Sequence, residues 1–251
     1  MLLTTSGDYN LPGRFSGRIG SAVLWLVQHI PAPVAATVEK YIHKHHDYYQ
    51  VFGDDEQGKP GSSSAKWRSL HMPDDLTGKS VIDIGCAEGF FCLEFAKRHA
   101  DIVVGVDVRL TTLICAGLLA SKHKASIRYQ LAAFPEFRVR RKYDYVLCLS
   151  VLHHLLSTKD IWKVISDKNH ADDRHKLLQY IRALYTMTNE GGSCIVEMPY
   201  EYDEPGKKEH VDFDLFNEYF LAAGFASARI LGGWEHSERG KKDRVIYTAL
   251  A

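Results

Sequence analysis

A short segment combines glycines and carboxylates at a spacing that suits a ligand containing a nucleoside. A short apolar run carries Asp83 and is followed by Gly85 and Gly89. Glycine permits a tight turn at the first position and close approach of a following helix at the second. A second apolar run ends in Asp107, and an acidic residue at such a strand end accepts hydrogen bonds from ribose hydroxyls. The pattern therefore predicts a nucleoside-binding loop over residues 83–91.

The acidic residues of this loop distinguish between two classes of cofactor. A dinucleotide site follows the pattern GxGxxG and places pyrophosphate at the helix N-terminus, but here the middle glycine is missing. Glu88 stands where the pyrophosphate would lie, beside Asp83, and two carboxylates there repel a dianion. The same carboxylates suit a ligand that carries a sulfonium and an ammonium group. The loop therefore favours S-adenosylmethionine over NAD.

Segments around the loop alternate between strand and helix patterns from about residue 80 onward. Continuous apolar strands alternating with helices indicate a parallel sheet covered on both faces. The last two predicted strands have no helix between them, which predicts antiparallel pairing. Strands are predicted near residues 81–84, 102–106, 127–131, 145–149, 194–196, 228–231 and 244–248, and helices near 90–98, 111–123, 174–187 and 213–223. The fold class is α/β, doubly wound and mostly parallel.

The first 65 residues are predicted to form a helical extension and a loop, separate from a domain at residues 66–251. Pro31 and Pro33 divide the extension into two helices. The second helix carries apolar residues at helical spacing, so one of its faces is expected to pack.

The amino-acid composition limits which binding partners and which cellular compartment are expected for the protein. Lysine plus arginine equals aspartate plus glutamate at 31 each, which provides no broad attraction to nucleic acid or to an anionic membrane. The five cysteines lie in or beside apolar runs without a CxxC pair, which is typical of reduced thiols in a cytoplasmic protein. The apolar stretch at residues 22–27 is far shorter than the roughly 20 residues that span a bilayer. His43, His45 and His46 lack the i, i+4 spacing of a helical metal site, so no metal is predicted.

Three segments resemble the motifs of class I S-adenosylmethionine-dependent methyltransferases. Residues 81–91, VIDIGCAEGFF, resemble the first motif, and residues 103–107, VVGVD, resemble the second-strand motif. Residues 143–154, YDYVLCLSVLHH, resemble the fourth-strand motif. The resemblance covers about residues 66–250 and implies a seven-stranded sheet that ends in an antiparallel hairpin.

The same resemblance assigns residues to the cofactor. Asp107 would contact the ribose. The family often has an acidic residue near the adenine after the third strand, but here the sequence is LAAF, so Phe134 is predicted to stack on the adenine instead. Glu88 and Ser150 complete the predicted cofactor set. The methionine part of the cofactor would be lined by Asp83, Gly85, Cys86 and Gly89.

Histidine and carboxylate side chains after the fourth and fifth strands are candidates for the acceptor site. A hydroxyl acceptor must lose its proton during methyl transfer, and histidine has a suitable pKa for the base. His153 is the predicted base and Glu197 the next candidate, whereas His154 is expected to pack and bond to backbone. The neighbouring rim includes a predicted polar loop at residues 200–203, and it supplies further groups that bond hydroxyls, namely Tyr200, Tyr202 and His210. These features favour O-methylation of a small molecule or a glycan.

Two alternative functions stay open. Residues 66–68, KWR, resemble a Lys-Trp segment in the tRNA wobble-uridine carboxymethyltransferases, which would imply a nucleic-acid acceptor. The chain would instead be a non-catalytic, methyltransferase-like binding protein if side chains filled the pocket beside His153 and Glu197.

Overall fold

The apolar runs of the sequence become the strands of one central sheet in the computed structural model of the chain. Seven of the strands form this sheet in the order β3-β2-β1-β4-β5-β9-β8. The strands from β3 to β5 pair in parallel, and β9 pairs antiparallel with both β5 and β8. The strands are β1 (Ser80–Ile84), β2 (Ile102–Asp107), β3 (Arg128–Leu131), β4 (Tyr143–Leu149), β5 (Thr188–Pro199), β6 (Glu201–Glu204), β7 (Lys207–His210), β8 (Ser227–Trp234) and β9 (Arg244–Leu250). The predicted fold class is confirmed.

The structure describes residues 14–45, 50, 63–137, 139, 141–157, 164, 168–199, 201–204, 207–210, 213–234 and 244–251. No helix within these ranges is long and apolar enough to cross a membrane. Among the same residues, no three His, Cys, Asp or Glu side chains are grouped so that they could hold a metal ion.

Helices cover both faces of the sheet and divide the core into two layers. The described helices are α1 (Arg14–Gln28), α2 (Ala32–His45), α3 (Ser63–Ser69), α4 (Phe90–Lys97), α5 (Leu110–Lys122), α6 (Ala171–Met187) and α7 (Phe213–Ala223). One layer packs apolar residues of α6 and α7, such as Ile181 and Phe220, on the sheet. The other layer packs residues of α3, α4 and α5, such as Trp67, Phe95 and Leu113. Strands buried on both faces explain their near-continuous apolar sequence.

The two N-terminal helices pack on α5. The Gln28 side chain donates to the Ile127 carbonyl at 2.8 Å, and the Ser121 hydroxyl donates to the Gln28 carbonyl at 2.9 Å. A Cβ at Gly117 would lie 2.9 Å from Val27 Cγ1, so this glycine lets α1 approach closely. The division of the extension into two helices is confirmed, while the domain boundary at residue 65 stays a prediction.

The polar segment after β5 differs from the prediction of a loop. Its backbone forms the antiparallel hairpin of β6 and β7, in which Glu201 pairs with His210 and Tyr202 with Glu209. The prediction relied on apolar content, but hairpin pairing uses backbone groups and tolerates polar side chains. The Pro205-Gly206 dipeptide between the two runs was the signal that indicates such a turn.

Candidate cofactor and acceptor site

Two glycines shape the predicted cofactor loop where β1 ends. Gly85 and Gly89 have φ values of +74° and +82°, in the left-handed region that favours glycine. A Cβ at Gly85 would lie 2.4 Å from Val151 Cγ2, and one at Gly89 would lie 2.4 Å from Tyr129 Oη. Backbone conformation and packing therefore both require glycine at these positions.

Asp107 is buried beside this loop at the end of β2. Its Oδ2 accepts from the Ala87 N–H at 3.0 Å, and its Oδ1 accepts from the Arg109 N–H at 2.9 Å. These two bonds fix the orientation of the carboxylate. Because a carboxylate offers about four lone-pair sites, Asp107 retains acceptor capacity for a hydroxyl.

Asp83 lies buried on β1, between the strand that ends in Asp107 and the strand that precedes Ser150. Burial raises the pKa of Asp83 to about 8, the Asp107 carboxylate adds to this rise, and Lys66 opposes it. The Asp83 carboxyl group is therefore mostly protonated at pH 7. Asp83 was expected to be a second negative charge beside Glu88, and this expectation is wrong because desolvation penalises the charged form.

The Cys86 side chain faces the protein interior. A Cβ at Gly105 would lie 2.8 Å from Cys86 Sγ, so the thiol fills the space that this glycine leaves open. Burial raises the pKa of the Cys86 thiol well above its usual range. The thiol is thus an uncharged packing group, and a cofactor contact by Cys86 stays a prediction.

Gln50, from the N-terminal extension, bonds to both sides of Gly89. Its main-chain N–H donates to Glu88 Oε2 at 3.2 Å, and its side-chain Oε1 accepts from the Phe90 N–H at 2.9 Å. Gln50 and Glu88 are each only 4% exposed. Sequence reasoning missed this residue, because no motif connects it to a loop about 40 positions away.

A buried polar cluster occupies the ends of β4 and β5. Lys66 Nζ, from α3, lies 2.9 Å from Glu197 Oε2 and donates to Ser150 Oγ at 3.3 Å. The Ser150 hydroxyl also donates to Glu197 Oε2. The Glu197 side chain is fully buried. Ser150 has a φ of +59°, an unfavourable conformation for a non-glycine residue and one that is enriched at functional sites.

The Lys-Trp segment is buried in the interior of the protein. Lys66 belongs to the buried cluster, and Trp67 packs edge-on against Phe95 with ring centroids 5.0 Å apart. The Arg98 guanidinium lies 4.8 Å from the Trp67 ring centroid. These contacts attach α3 to the sheet, so the first two residues of the segment provide no exposed surface for nucleic acid.

The two adjacent histidines follow β4 in a short 3₁₀ turn, Leu152–His154. His153 is 7% exposed, whereas His154 is exposed. The expectation that His154 packs in the interior is therefore wrong, since the turn directs His153 inward instead. The two rings contact each other, with centroids 4.0 Å apart.

A comparison with protein families matches residues 81–171 to a family described as a methyltransferase domain. The part of the chain that carries the cofactor loop therefore matches a methyltransferase domain, in agreement with the predicted class I S-adenosylmethionine-dependent fold. The match includes the cofactor loop, Asp107 and both histidines, and it ends before β5.

Relatives with curated names match about a third of this chain. The ubiquinone biosynthesis O-methyltransferase of Bradyrhizobium sp. (strain ORS 278) is 36% identical over 80 residues, which cover 32% of this chain and 31% of that protein. The protein of the same name from Nitrobacter winogradskyi is 34% identical over 88 residues, which cover 35% of this chain and 32% of the relative. The chain thus spans about a third of the length of the curated relatives it matches.

Solved structures share the fold of the methyltransferase domain at low sequence identity. The phosphoethanolamine N-methyltransferase 2 of Haemonchus contortus, in complex with phosphomonomethylethanolamine and S-adenosylhomocysteine, superimposes with a TM-score of 0.56 at 14% identity. That match covers 76% of this chain and 53% of the other.

The remaining predicted residues of the methyltransferase domain lie in different environments. Phe134 is buried, with its ring 6.0 Å from Tyr180 and 6.4 Å from Phe137. Its stacking on adenine stays a prediction. Tyr200 lies outside the described residues, and only the backbone of Tyr202 and His210 is described.

The loop of the methyltransferase domain fits S-adenosylmethionine. Gly85 and Gly89 give the loop its tight turns, and Asp107 is oriented with acceptor capacity for a ribose hydroxyl. The Glu88 side chain at the N-terminus of α4 suits a cationic ligand better than a pyrophosphate. The cofactor residues nevertheless stay predictions individually.

Proposed function

We propose that this chain transfers a methyl group from S-adenosylmethionine to a hydroxyl of a small molecule or glycan. The observation that carries the proposal is the position of His153, which follows β4 next to the cofactor loop. A histidine there supports transfer to oxygen, because a hydroxyl must lose its proton. The names of the curated relatives support a small-molecule acceptor.

His153 is the base in this proposal. When bound, the cofactor supplies a methyl group on a positively charged sulfur, which an oxygen nucleophile takes in one displacement. His153 accepts the hydroxyl proton on an imidazole nitrogen as the acceptor oxygen gains the methyl group. The exposed His154 ring, 4.0 Å away between centroids, connects His153 to solvent. Its location supports return of the proton to water.

Glu197 has a different role in the proposal. Its carboxylate already holds Lys66 and Ser150 and is fully buried. An acceptor hydroxyl would reach Glu197 only if Lys66 moved, which would leave a buried charge without its partner. We therefore assign Glu197 to orienting Ser150 at the end of β4, and His153 to proton transfer.

We also place the protein in the cytoplasm. All five cysteines are buried free thiols, which supports a reducing compartment.

A methyl-transfer screen with labelled donor tests the acceptor class. Phenols, small acids, glycans and bulk tRNA are each incubated with the full chain. We expect label in a hydroxyl-bearing small molecule or glycan. Label in tRNA alone would overturn the proposal. Titration with S-adenosylhomocysteine and with NAD provides the binding control, and heat is expected only with the first.

His153→Ala tests the proposed base. We expect turnover to fall by about a hundredfold, since general-base catalysis contributes roughly that much, while the affinity for S-adenosylhomocysteine stays nearly unchanged. His175→Ala is the matched control because His175 is exposed on α6. Unchanged turnover in His153→Ala would remove this residue as the base.

A further inference from the structure

Gln50 joins the N-terminal extension to the cofactor loop through a pair of hydrogen bonds. One bond goes to the side chain of Glu88, before Gly89, and the other comes from the main chain of Phe90, after it. Both are buried. This arrangement fixes the turn from both sides.

The Phe90 N–H belongs to the first residue of α4, where helix geometry provides no intrahelical acceptor. An N-cap side chain normally bonds to the N–H of the second or third helical residue, so the N–H of the first residue needs another acceptor. Here the N-cap is Gly89, which has no side chain, so α4 lacks a side-chain cap of its own. The Gln50 carboxamide therefore provides the missing cap from a distant part of the chain.

The bond to Glu88 has a second consequence. Glu88 is the carboxylate that is predicted from the sequence to face the cationic part of the donor. A main-chain N–H on Glu88 Oε2 restricts the carboxylate to one orientation. Preorganised groups bind more tightly because less ordering is needed on association.

We propose that Gln50 is a positioning residue of the cofactor site, which makes donor affinity depend on the N-terminal extension. The inference rests on the proposed function, because it requires that this loop binds the donor. Substitution of the side chain removes the cap on α4 but leaves the main-chain bond to Glu88. Loss of the cap loosens the turn on which Glu88 and Gly89 are held.

Titration of the full chain with S-adenosylhomocysteine tests the inference. Gln50→Met keeps the length of the side chain but removes the acceptor, and we expect the Kd to rise by about tenfold. Gln28→Met is the matched control, because Gln28 also belongs to the extension and makes one side-chain bond to the domain, at Ile127. We expect Gln28→Met to bind like the wild type. Amide exchange should accelerate at Phe90 in Gln50→Met and not in Gln28→Met.

The outcomes separate this inference from the proposed function. An unchanged Kd in Gln50→Met, or an equal loss in both variants, would overturn the inference alone. Absence of binding by the wild type would overturn the proposed function and the inference with it. Gln50→Asn keeps the amide but shortens its reach by one methylene, and the same rise in Kd is expected. This second variant decides the result if Gln50→Met does not fold.

Discussion

The cofactor edge and the acceptor edge of the sheet are adjacent, but different interactions hold them. At the cofactor edge, glycine conformations and main-chain N–H groups within residues 83–109 set most of the geometry, and Gln50 adds two bonds. At the acceptor edge, Lys66 reaches Ser150 and Glu197 across 84 and 131 positions of the chain. The first edge depends on backbone conformation and the second on compensation of a buried charge. The two edges should therefore respond to different substitutions.

The largest effect is expected from Lys66→Met at the acceptor edge. The substitution leaves the Glu197 carboxylate buried without its cation, which typically costs about 3–5 kcal/mol of unfolding free energy. Urea unfolding of the variant and the wild type measures this cost. The double variant Lys66→Met/Glu197→Leu should recover most of it, because removal of both charges leaves neither uncompensated.

An exposed ion pair provides the control for this prediction. Lys97 pairs with Glu94 on α4, and the Lys97 side chain is 55% exposed. Lys97→Met should cost at most about 1 kcal/mol, since solvent screens such a pair. Equal costs for the two lysines would show that the buried cluster does not stabilise the acceptor edge.

An intermediate effect is expected from Gly89→Ala at the cofactor edge. Alanine at a positive φ is strained by about 1–3 kcal/mol, and the added Cβ would also meet Tyr129 Oη. Stability and affinity for S-adenosylhomocysteine should both fall, as measured by thermal unfolding and calorimetry.

Gly78→Ala separates backbone strain from packing. Gly78 has a similar φ of +79°, but no atom of the described residues lies within 4 Å of its hypothetical Cβ. This variant should lose less stability than Gly89→Ala and keep its cofactor affinity. Addition of Tyr129→Phe to Gly89→Ala should restore part of the stability by which Gly89→Ala falls below Gly78→Ala. Equal losses of stability in the two variants would show that contact with Tyr129 adds nothing to the backbone strain.

A gradual effect, small within any one pH unit, is expected at Asp83, which lies between the two edges. Its pKa is raised from 3.8 in the unfolded chain to about 8 in the folded protein, mainly by burial. Between these values the folded state holds a proton that the unfolded state has lost. The stability that Asp83 contributes is therefore complete below about pH 4 and is lost as the pH rises toward 8, by about 1.4 kcal/mol per pH unit.

Asp83→Asn should remove this slope, because the amide does not titrate. Thermal unfolding at pH 5, 6, 7 and 8 compares the variant with the wild type. Asp75→Asn is the control, since hydrogen bonds from Thr77 lower the pKa of that carboxyl group. It should leave the slope between pH 5 and 8 unchanged. Parallel curves for the wild type and Asp83→Asn would show that Asp83 is charged in the folded protein.

Much of the fold was predictable because its signals are local. Each continuous apolar run, such as residues 145–149, became a sheet strand, although β5 begins at Thr188, well before the predicted residues 194–196. The β6–β7 hairpin was missed because its residues are polar and its pairing uses only the backbone. The glycine positions were predictable for the same reason as the strands, since tight turns require them within a few residues of β1.

The sequence by itself determined the α/β fold, the methyltransferase domain and the edge of the sheet where the cofactor loop lies. Those properties follow from residue spacing, which a linear chain displays directly. Only the tertiary structure decided that Lys66 pairs with Glu197, that His153 rather than His154 turns inward, and that Gln50 caps α4. Lys66 and Gln50 contact elements far along the chain, and the geometry of a turn decides which histidine is buried. The charge of Asp83 was decided in the same way, because its pKa depends on burial that only the packed sheet creates.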